Sequence, residues 1–289
     1  MTAPTGGSPE GVRYLLGHTD DELRRLDIQG ELFRAPTLRA FEDAGIAPGM
    51  RVLDIGSGSG DVSLLVAELV GAGGTVVGID RGEEAVRAAR ERAQARGLTQ
   101  VEFRVSEVDE FTADEPFDAL VGRFVLMHQS RPGRALARAA AQVRPGGIVC
   151  LIESYMDALL TGAHSFPHSP LYDEIVRWKS EVVGGAGADL HAGVRLPLTF
   201  AEAGLPNPHT RLESRLEGGP DSVYYRYVGL SLASMQPEAR RQGLGGLVNA
   251  DPDVVADRLR AEVMESGGTL VVWPVVAAWC RTPMRATSV

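Results

Sequence analysis

Cysteine, basic charge and long apolar runs are all scarce in this chain, and each scarcity excludes a class of protein. Only two cysteines occur in 289 residues, Cys150 and Cys280, and both lie in apolar runs, which favours core packing over a disulfide or a metal pair. The net charge of -9 argues against a nucleic-acid partner, because neutralising phosphates needs a basic surface. No apolar stretch reaches transmembrane length, and the N-terminus lacks a signal-peptide pattern. We therefore expect a cytoplasmic protein with no nucleic-acid and no membrane partner.

The most informative segment is Val52–Asp61, where an apolar run meets glycines at positions 56, 58 and 60. This pattern predicts a buried strand, a tight turn and the start of a helix. A second apolar run, Thr75–Ile79, ends at an isolated acid, Asp80. Because the carboxyl ends of parallel strands meet at one sheet edge, Asp80 is expected beside the glycine turn, where a carboxylate can accept both hydroxyls of a ribose. The two segments together predict a site for an adenosine-containing cofactor.

Asp61 helps to choose between two such cofactors. The dinucleotide fingerprint ends on a glycine at the helix start, where the pyrophosphate binds, but Asp61 occupies that place here and would repel a pyrophosphate. S-adenosylmethionine instead carries an ammonium group that Asp54 or Asp61 can help to neutralise, and a carboxylate for backbone N–H groups. S-adenosylmethionine is therefore favoured. A nicotinamide-dependent oxidoreductase stays as an alternative, although the chain shows no recognisable Ser–Tyr–Lys set.

The segment from about Arg51 to Glu153 resembles the core of class I S-adenosylmethionine-dependent methyltransferases, particularly the small-molecule enzymes related to ubiquinone and menaquinone biosynthesis. Val52–Asp61 is similar to the family's first motif, and Val77–Asp80 to its ribose-binding strand end. Val101–Val108 is similar to the third strand and adenine loop, although Ser106-Glu107-Val108 stands where the family usually carries Gly-Asp-Ala. The residues expected to bind the cofactor are Tyr14, Asp54, Gly56, Ser57, Gly58, Asp80, Arg81, Glu107, Val108 and Arg123.

Strands and helices alternate through this segment. Strands are predicted at Arg51–Ile55, Thr75–Ile79, Val101–Val105, Ala119–Gly122 and Ile148–Glu153, with helices at Asp61–Val70, Glu83–Arg96 and Pro132–Val143. Such alternation is typical of a parallel sheet with helices on both faces. The resemblance implies an α/β, doubly wound, mostly parallel seven-stranded sheet of the Rossmann-like methyltransferase type, with helical lid insertions. Residues 1–289 would then form a single domain, with a core at about 48–155, 199–218 and 268–282 and lid elements at about 12–45, 156–198 and 219–267.

Further elements are predicted outside this core. Helical spacing occurs at Asp20–Phe33, Thr37–Ala44, Leu171–Val183, Leu198–Ala203, Asp221–Ser234 and Pro252–Glu265. Thr210–Leu216 and Thr269–Trp279 are predicted strands, and the resemblance implies that these two form the antiparallel edge of the sheet.

Methyl transfer from a sulfonium mainly needs alignment and desolvation, so a general base is required only for an acceptor that is not already nucleophilic. Two catalytic candidates lie near the carboxyl edge of the sheet. His128 follows the fourth strand, and packing beneath the cofactor is the alternative role for its ring. Glu153 ends the fifth strand in an apolar run, where burial would raise its pKa and favour proton transfer, and a structural hydrogen bond is its alternative role.

Two other groups of residues are weaker candidates. Tyr224 and Tyr227 fall on one helix face, as core residues or as substrate contacts. His164 and His168 are four residues apart, but Pro167 and Pro170 interrupt a regular helix and no third ligand is evident, so no metal site is expected.

The sequence thus predicts an S-adenosylmethionine-dependent methyltransferase that forms S-adenosylhomocysteine as its second product. Its acceptor is expected to be a small aromatic or apolar metabolite, methylated on oxygen or carbon by in-line displacement in a lidded pocket. A non-catalytic cofactor-binding protein on the same scaffold stays as an alternative. A nucleic-acid methyltransferase is disfavoured, because Gly122-Arg123-Phe124-Val125 supplies no Asn/Asp-Pro-Pro-aromatic motif.

Overall fold

The computed structural model describes residues 20–162 and 164–284, with side chains described from residue 24 onward. The strands of its main sheet are β1 (Arg51–Ile55), β2 (Thr75–Asp80), β3 (Val101–Val105), β4 (Phe117–Arg123), β5 (Val143–Ser154), β7 (His209–Glu213) and β10 (Val275–Arg281). They form one seven-stranded sheet in the order β3-β2-β1-β4-β5-β10-β7. Strands β1 to β5 pair in parallel, whereas β10 runs antiparallel to both β5 and β7. The predicted mostly parallel seven-stranded sheet is confirmed, including its antiparallel edge.

Helices connect and cover this sheet. They are α1 (Asp20–Ala44), α2 (Asp61–Val70), α3 (Glu83–Ala95), α4 (Pro132–Ala140), α5 (Ala158–Thr161), α6 (Pro170–Gly185), α7 (Ala192–Glu202), α8 (Tyr224–Arg241) and α9 (Pro252–Ser266). A small antiparallel sheet, which the sequence did not predict, joins β6 (Ser165–Phe166), β9 (Thr269–Val271) and β8 (Leu216–Glu217) in the order β6-β9-β8. None of the helices described is both long enough and apolar enough to cross a membrane.

Both faces of the main sheet are buried, which explains why its strands are continuous apolar runs. Val52 and Cys150 pack into one hydrophobic cluster, whereas their strand neighbours Leu53 and Leu151 pack into another on the opposite face. Successive strand residues point to opposite faces, so each cluster collects alternate positions. Cys150 and Cys280 are both buried free thiols, as their apolar surroundings predicted.

The position of β1 in the sheet creates a crevice. It pairs with β2 on one side and with β4 on the other. The chain therefore leaves neighbouring strands toward opposite faces, and the connections diverge above their carboxyl ends. Open α/β sheets bind ligands at such a point.

The N-terminal region forms the single helix α1 where two helices were predicted, and Pro36 lies inside it. Proline has no N–H to bond to the carbonyl of Leu32, four residues earlier. The Arg215 side chain replaces that donor, with its Nη1 atom 3.0 Å from the Leu32 oxygen. The helix continues through the proline because a distant residue satisfies the carbonyl that the proline leaves without a donor.

The predicted strand Thr269–Trp279 is divided between the two sheets. Its first part is β9 and its second part is β10, and residues 272–274 between them belong to neither strand. Pro274 has no N–H for a strand ladder, while its carbonyl accepts the Tyr155 N–H at 2.9 Å. The break places Trp273, which is buried, at the carboxyl edge of the main sheet.

Three predicted helices have different bounds in the structure. Helix α7 begins at Ala192, six residues before the predicted start, and Pro197 lies inside it. Its extension is stabilised by complete burial of Leu196 and Phe200. Helix α8 begins three residues later than predicted and continues to Arg241. Helix α4 ends at Ala140, because Val143 already pairs with β4.

Candidate functional site

A single cavity collects most of the predicted site residues at the carboxyl ends of β1, β2, β3 and β4. Helices α1, α6 and α8 and the segment between β9 and β10 complete its wall. Eight of the ten predicted cofactor-binding residues line this cavity: Gly56, Ser57, Gly58, Asp80, Arg81, Glu107, Val108 and Arg123. Of the other two, Asp54 lies behind the wall, and Tyr14 falls outside the described residues.

The glycine turn between β1 and α2 has a shape that other residues do not adopt easily. Gly56, Gly58 and Gly60 have φ values of +61°, +52° and +91°. A Cβ atom on Gly56 would lie 2.5 Å from Cγ2 of Val125, and one on Gly60 would lie 2.9 Å from the ring of Phe103. Glycine is therefore required by both backbone conformation and close packing. The turn leaves a concave wall beside Asp80.

Asp80 fixes this turn from the end of β2. Its Oδ2 atom accepts the Gly58 N–H at 2.9 Å, and its Oδ1 atom accepts the Gly82 N–H at 2.8 Å. Each carboxylate oxygen has two lone-pair directions, so both oxygens can accept a further bond from a ligand hydroxyl. A vicinal diol such as that of ribose fits this acceptor pair.

The end of β3 supplies the next part of the wall. Ser106, Glu107 and Val108 all line the cavity, and the Ser106 N–H bonds to the Asp80 carbonyl at 2.9 Å. Val108 is buried and offers an apolar surface, whereas the half-buried Glu107 offers an acceptor. The apolar surface can pack against an aromatic ring, and the carboxylate can accept a hydrogen bond from an amino group on that ring.

Asp54, a predicted ligand of the cofactor, lies behind the cavity wall. It is fully buried and is absent from the cavity wall, and its Oδ2 atom accepts the Ser63 hydroxyl at 2.6 Å. Burial raises the pKa of Asp54 to about 7, while the Ser63 hydroxyl and the charge of Arg123 oppose that rise. The residue ties β1 to α2 beneath the turn, and a contact of Asp54 with the ammonium group stays a prediction.

Asp61 is the first residue of α2 and lines the cavity as well. One of its oxygens lies 2.8 Å from Arg92, and the other lies 3.9 Å from the buried Arg123. Helix α1 reaches this carboxylate because position 30 is a glycine, where a Cβ atom would lie 3.1 Å from the Asp61 carboxyl group. An acid held between two arginines occupies the place where a pyrophosphate would bind.

Glu153 makes the structural hydrogen bonds that were the alternative to its predicted proton-transfer role, and that role stays a prediction. Its Oε1 atom accepts the N–H groups of Val125 and Leu126 at 2.9 and 2.6 Å, and its Oε2 atom accepts that of Met127 at 3.4 Å. Burial raises its pKa to about 7 against the effect of these donors. The carboxylate is fully buried and does not line the cavity, so it holds the loop after β4 in place.

His128, the second predicted catalytic residue, does line the cavity, at the end of a short 3-10 helix. Burial and the positive charge of Arg81 lower its pKa to about 4. The imidazole is therefore neutral at neutral pH, and it is a weak base. Its position suits packing or hydrogen bonding more than proton abstraction.

The structure adds cavity residues that the sequence did not single out, and Lys179 of α6 is the most informative. Its side chain is 5% exposed, and its Nζ atom lies 4.6 Å from the Trp273 ring centre and 5.0 Å from that of Tyr227. Burial, followed by the positive charge of Arg25, lowers the pKa of Lys179 to about 7. One signal was present in the sequence, because Lys179 is the only lysine in the chain.

The tyrosines of α8 divide between core and cavity. Tyr227 lines the cavity, and its hydroxyl lies 3.4 Å from Arg25 Nη1 and 3.2 Å from Gln29 Oε1. Tyr224 stacks against Tyr227 with ring centres 6.0 Å apart, and its hydroxyl lies 2.7 Å from that of Tyr172. Of these two tyrosines, only Tyr227 is therefore placed to contact a substrate.

His164 and His168 converge on one carboxylate. Their Nε2 atoms lie 2.6 and 2.9 Å from the two oxygens of Asp173, at the start of α6. Within residues 20–162 and 164–284, no three histidine, cysteine or acidic side chains are grouped so as to hold a metal ion.

Comparison with known proteins adds independent findings. Residues 46–187 match the family described as methyltransferase domain. The ubiquinone/menaquinone biosynthesis C-methyltransferase UbiE of Pseudomonas fluorescens is 30% identical over 215 residues, which are 72% of this chain and 79% of that protein. The nocamycin O-methyltransferase of Saccharothrix syringae is 38% identical over 128 residues, or 42% of this chain and 44% of that protein. The matches span only 28% to 65% of the length of several other curated relatives.

Among solved structures, the fold is shared with phosphoethanolamine N-methyltransferase 2 of Haemonchus contortus. That protein was crystallised with phosphomonomethylethanolamine and S-adenosylhomocysteine. The TM-score is 0.52 at 17% identity, covering 86% of this chain and 53% of that chain.

Proposed function

This chain belongs to the family of S-adenosylmethionine-dependent methyltransferases, and we propose that it transfers the methyl group of that cofactor to a small apolar or aromatic metabolite. The net charge of -9 supports a small-molecule acceptor over a nucleic acid. The names of the two curated relatives, a C-methyltransferase and an O-methyltransferase, support carbon or oxygen as the acceptor atom.

One observation carries the proposal: the acceptor pair of Asp80 faces the same cavity as the glycine turn and Glu107. We assign the ribose hydroxyls to Asp80 and the adenine to the wall of Glu107 and Val108. Asp61 and Arg123 offer opposite charges for the ammonium and carboxylate groups of the methionine end. When bound there, S-adenosylmethionine supplies a methyl group on a positively charged sulfur. Arg81 and Tyr14 stay as predicted contacts.

The other end of the cavity suits an apolar acceptor. Its wall is formed by Met156, Val183, Tyr227, Met235 and Trp273, which come from the loop after β5, from α6 and α8, and from the segment before β10. Such a wall excludes water and holds an apolar molecule beside the cofactor end, and alignment with desolvation is the main requirement of this reaction.

We further propose that α1, α6 and α8 act as a lid over this cavity. Each contributes wall residues, namely Arg25, Lys179 and Tyr227. They belong to the proposed lid elements at about 12–45, 156–198 and 219–267 of a single domain. The core at about 48–155, 199–218 and 268–282 would then supply most of the cofactor contacts, and the lid most of the acceptor contacts.

The proposal is tested by calorimetric titration with S-adenosylhomocysteine, with NADH in parallel. We expect binding of S-adenosylhomocysteine only, and we expect Asp80→Asn to weaken it at least tenfold, because one acceptor oxygen and the charge are lost. Glu110→Gln is the matched control, since Glu110 is exposed, lies three residues from Glu107 and is absent from the cavity wall.

Two results would contradict this assignment. Tight NADH binding would favour an oxidoreductase, and an unchanged affinity in Asp80→Asn would remove the ribose assignment. Binding of S-adenosylhomocysteine without turnover of any phenol, enol or indole offered would favour a non-catalytic cofactor-binding protein.

A further inference from the structure

We propose that Lys179 is the catalytic base of this site and that the acceptor is an apolar molecule with a weakly acidic hydroxyl, a phenol or an enol, which is methylated on oxygen. This inference rests on the proposed function and narrows it to one acceptor class and one acceptor atom.

The position of Lys179 supports this role. Its side chain lines the same cavity as Asp80 and His128, and its Nζ atom is flanked by the rings of Trp273 and Tyr227 at 4.6 and 5.0 Å. It lies among the largely apolar residues Met156, Val183 and Met235, where the rings of Trp273 and Tyr227 also bring an indole N–H and a hydroxyl. A few polar groups in a mostly apolar wall fix the orientation of a ligand, and Lys179 is the one among them that can lose its proton near neutral pH.

Among the residues that the structure describes, Lys179 also lacks a counter-charge. It makes no hydrogen bond and no ion pair with any residue of the described ranges, and its polar contacts there are the two aromatic faces. The charged group that acts on it electrostatically is Arg25 of α1, a second cation, and the titratable group that faces it from α8 is Tyr227. An isolated cation at a buried site is unstable, so an acceptor oxygen that becomes an anion would supply the missing partner.

The proton affinity of the Lys179 amine suits a general base. Burial and Arg25 lower the pKa of Lys179 to about 7, so a large share of the amine is neutral at neutral pH and can accept a proton. The alternatives are poorer. The pKa of His128 is lowered to about 4, and Glu153 is engaged by three backbone N–H groups outside the cavity.

The step balances with the groups named. The hydroxyl proton moves to Nζ of Lys179, which becomes an ammonium ion. An electron pair of the acceptor oxygen forms the new bond to the methyl carbon, and the pair of the broken carbon–sulfur bond stays on sulfur. Lys179 then releases its proton to solvent, so the turnover yields the methyl ether, S-adenosylhomocysteine and one proton.

The lone lysine makes a direct test possible. Lysine labelled with carbon-13 at Cε gives one side-chain signal, because the chain holds no other lysine. We expect the pH titration of this signal in the full-length protein to have its midpoint near 7, and a midpoint near the ordinary 10.5 would refute the role of base.

The second measurement uses 4-nitrophenol, whose phenolate absorbs visible light, with and without S-adenosylhomocysteine. At the pH where half of the free probe is ionised, we expect its ionised-to-neutral ratio to rise at least tenfold on binding to the wild type. We expect Lys179→Met to abolish this rise. Arg177→Met is the matched control, since Arg177 is an exposed cation of the same helix and should leave the rise intact.

The outcomes separate the two proposals. If the wild type does not bind S-adenosylhomocysteine, the proposed function fails, while the lysine titration and the phenol spectrum without cofactor still decide the role of Lys179. If Lys179→Met loses S-adenosylhomocysteine affinity in proportion to its phenol effect, Lys179 is a cofactor contact. That result, or the absence of any ionisation of the bound probe, would overturn the inference.

Discussion

Replacing Lys179 by methionine is expected to stabilise the protein, and by an amount that depends on pH. Burial holds the pKa of this lysine at about 7 instead of 10.5. Each tenfold change in proton affinity corresponds to about 1.4 kcal/mol, so the charged lysine lowers the free energy of unfolding by up to about 5 kcal/mol.

The sign follows from proton binding. Between pH 7 and 10.5 the unfolded chain holds a proton on Lys179 that the folded protein has lost, so the free energy of unfolding of the wild type rises with pH across this window. Methionine has a similar volume and no charge, and its stability carries no such dependence. The free energy of unfolding of the variant, relative to that of the wild type, should therefore be larger by about 4 kcal/mol at pH 6 than at pH 10.5.

Urea unfolding followed by circular dichroism at several pH values measures this difference directly. Every other titrating group is common to both proteins and cancels in the comparison. Arg177→Met provides the control, because it removes a cation from the exposed side of the same helix and should leave the pH dependence unchanged. Parallel stability curves for wild type and Lys179→Met would refute the claim that this amine is buried without a counter-charge.

Two further substitutions test the supports of the site. Glu153→Gln is expected to lower the free energy of unfolding by about 1–3 kcal/mol, because an amide cannot accept all three N–H groups. Binding of S-adenosylhomocysteine should weaken as well. If turnover were lost while stability stayed unchanged, a proton-transfer role would be favoured instead. Gly56→Ala should lower the melting temperature more than Gly97→Ala. Both glycines have positive φ, but only at Gly56 would the added Cβ atom clash with Val125. Equal decreases in melting temperature would mean that this contact is unimportant.

The cofactor end of the site was predictable because its signals are local. A strand, a glycine turn and a helix start follow one another within ten residues, and their order fixes where Asp80 must lie once the sheet is parallel. Asp54 shows the limit of such reasoning. A strand residue next to the turn can face the cavity or the core, and only the packing of Ser63 against it decides which.

Two of the wrong element bounds involve a proline, which ends an element only when nothing replaces the bond that it removes. Pro36 stays inside α1 because Arg215, almost 180 residues away in sequence, donates to the carbonyl of Leu32. Pro274 lies where no strand partner faces its nitrogen, and the run from Thr269 divides there between two sheets. A proline is present in both places, and the contacts made by the rest of the fold decide whether the element continues.

The acceptor end was not predictable by local reasoning, because α1, α6, α8 and the segment before β10 each give it a few side chains. The pattern of α6 nevertheless holds a clue. Tyr172, Val176, Lys179 and Val183 follow helical spacing along one buried face, so a lysine occupies a position where an apolar residue is expected. Apart from the histidines, all other basic residues of the chain are arginines. An arginine at position 179 would stay charged. Lysine differs from arginine at a buried position chiefly in being able to lose its proton, and a base in this cavity needs that property.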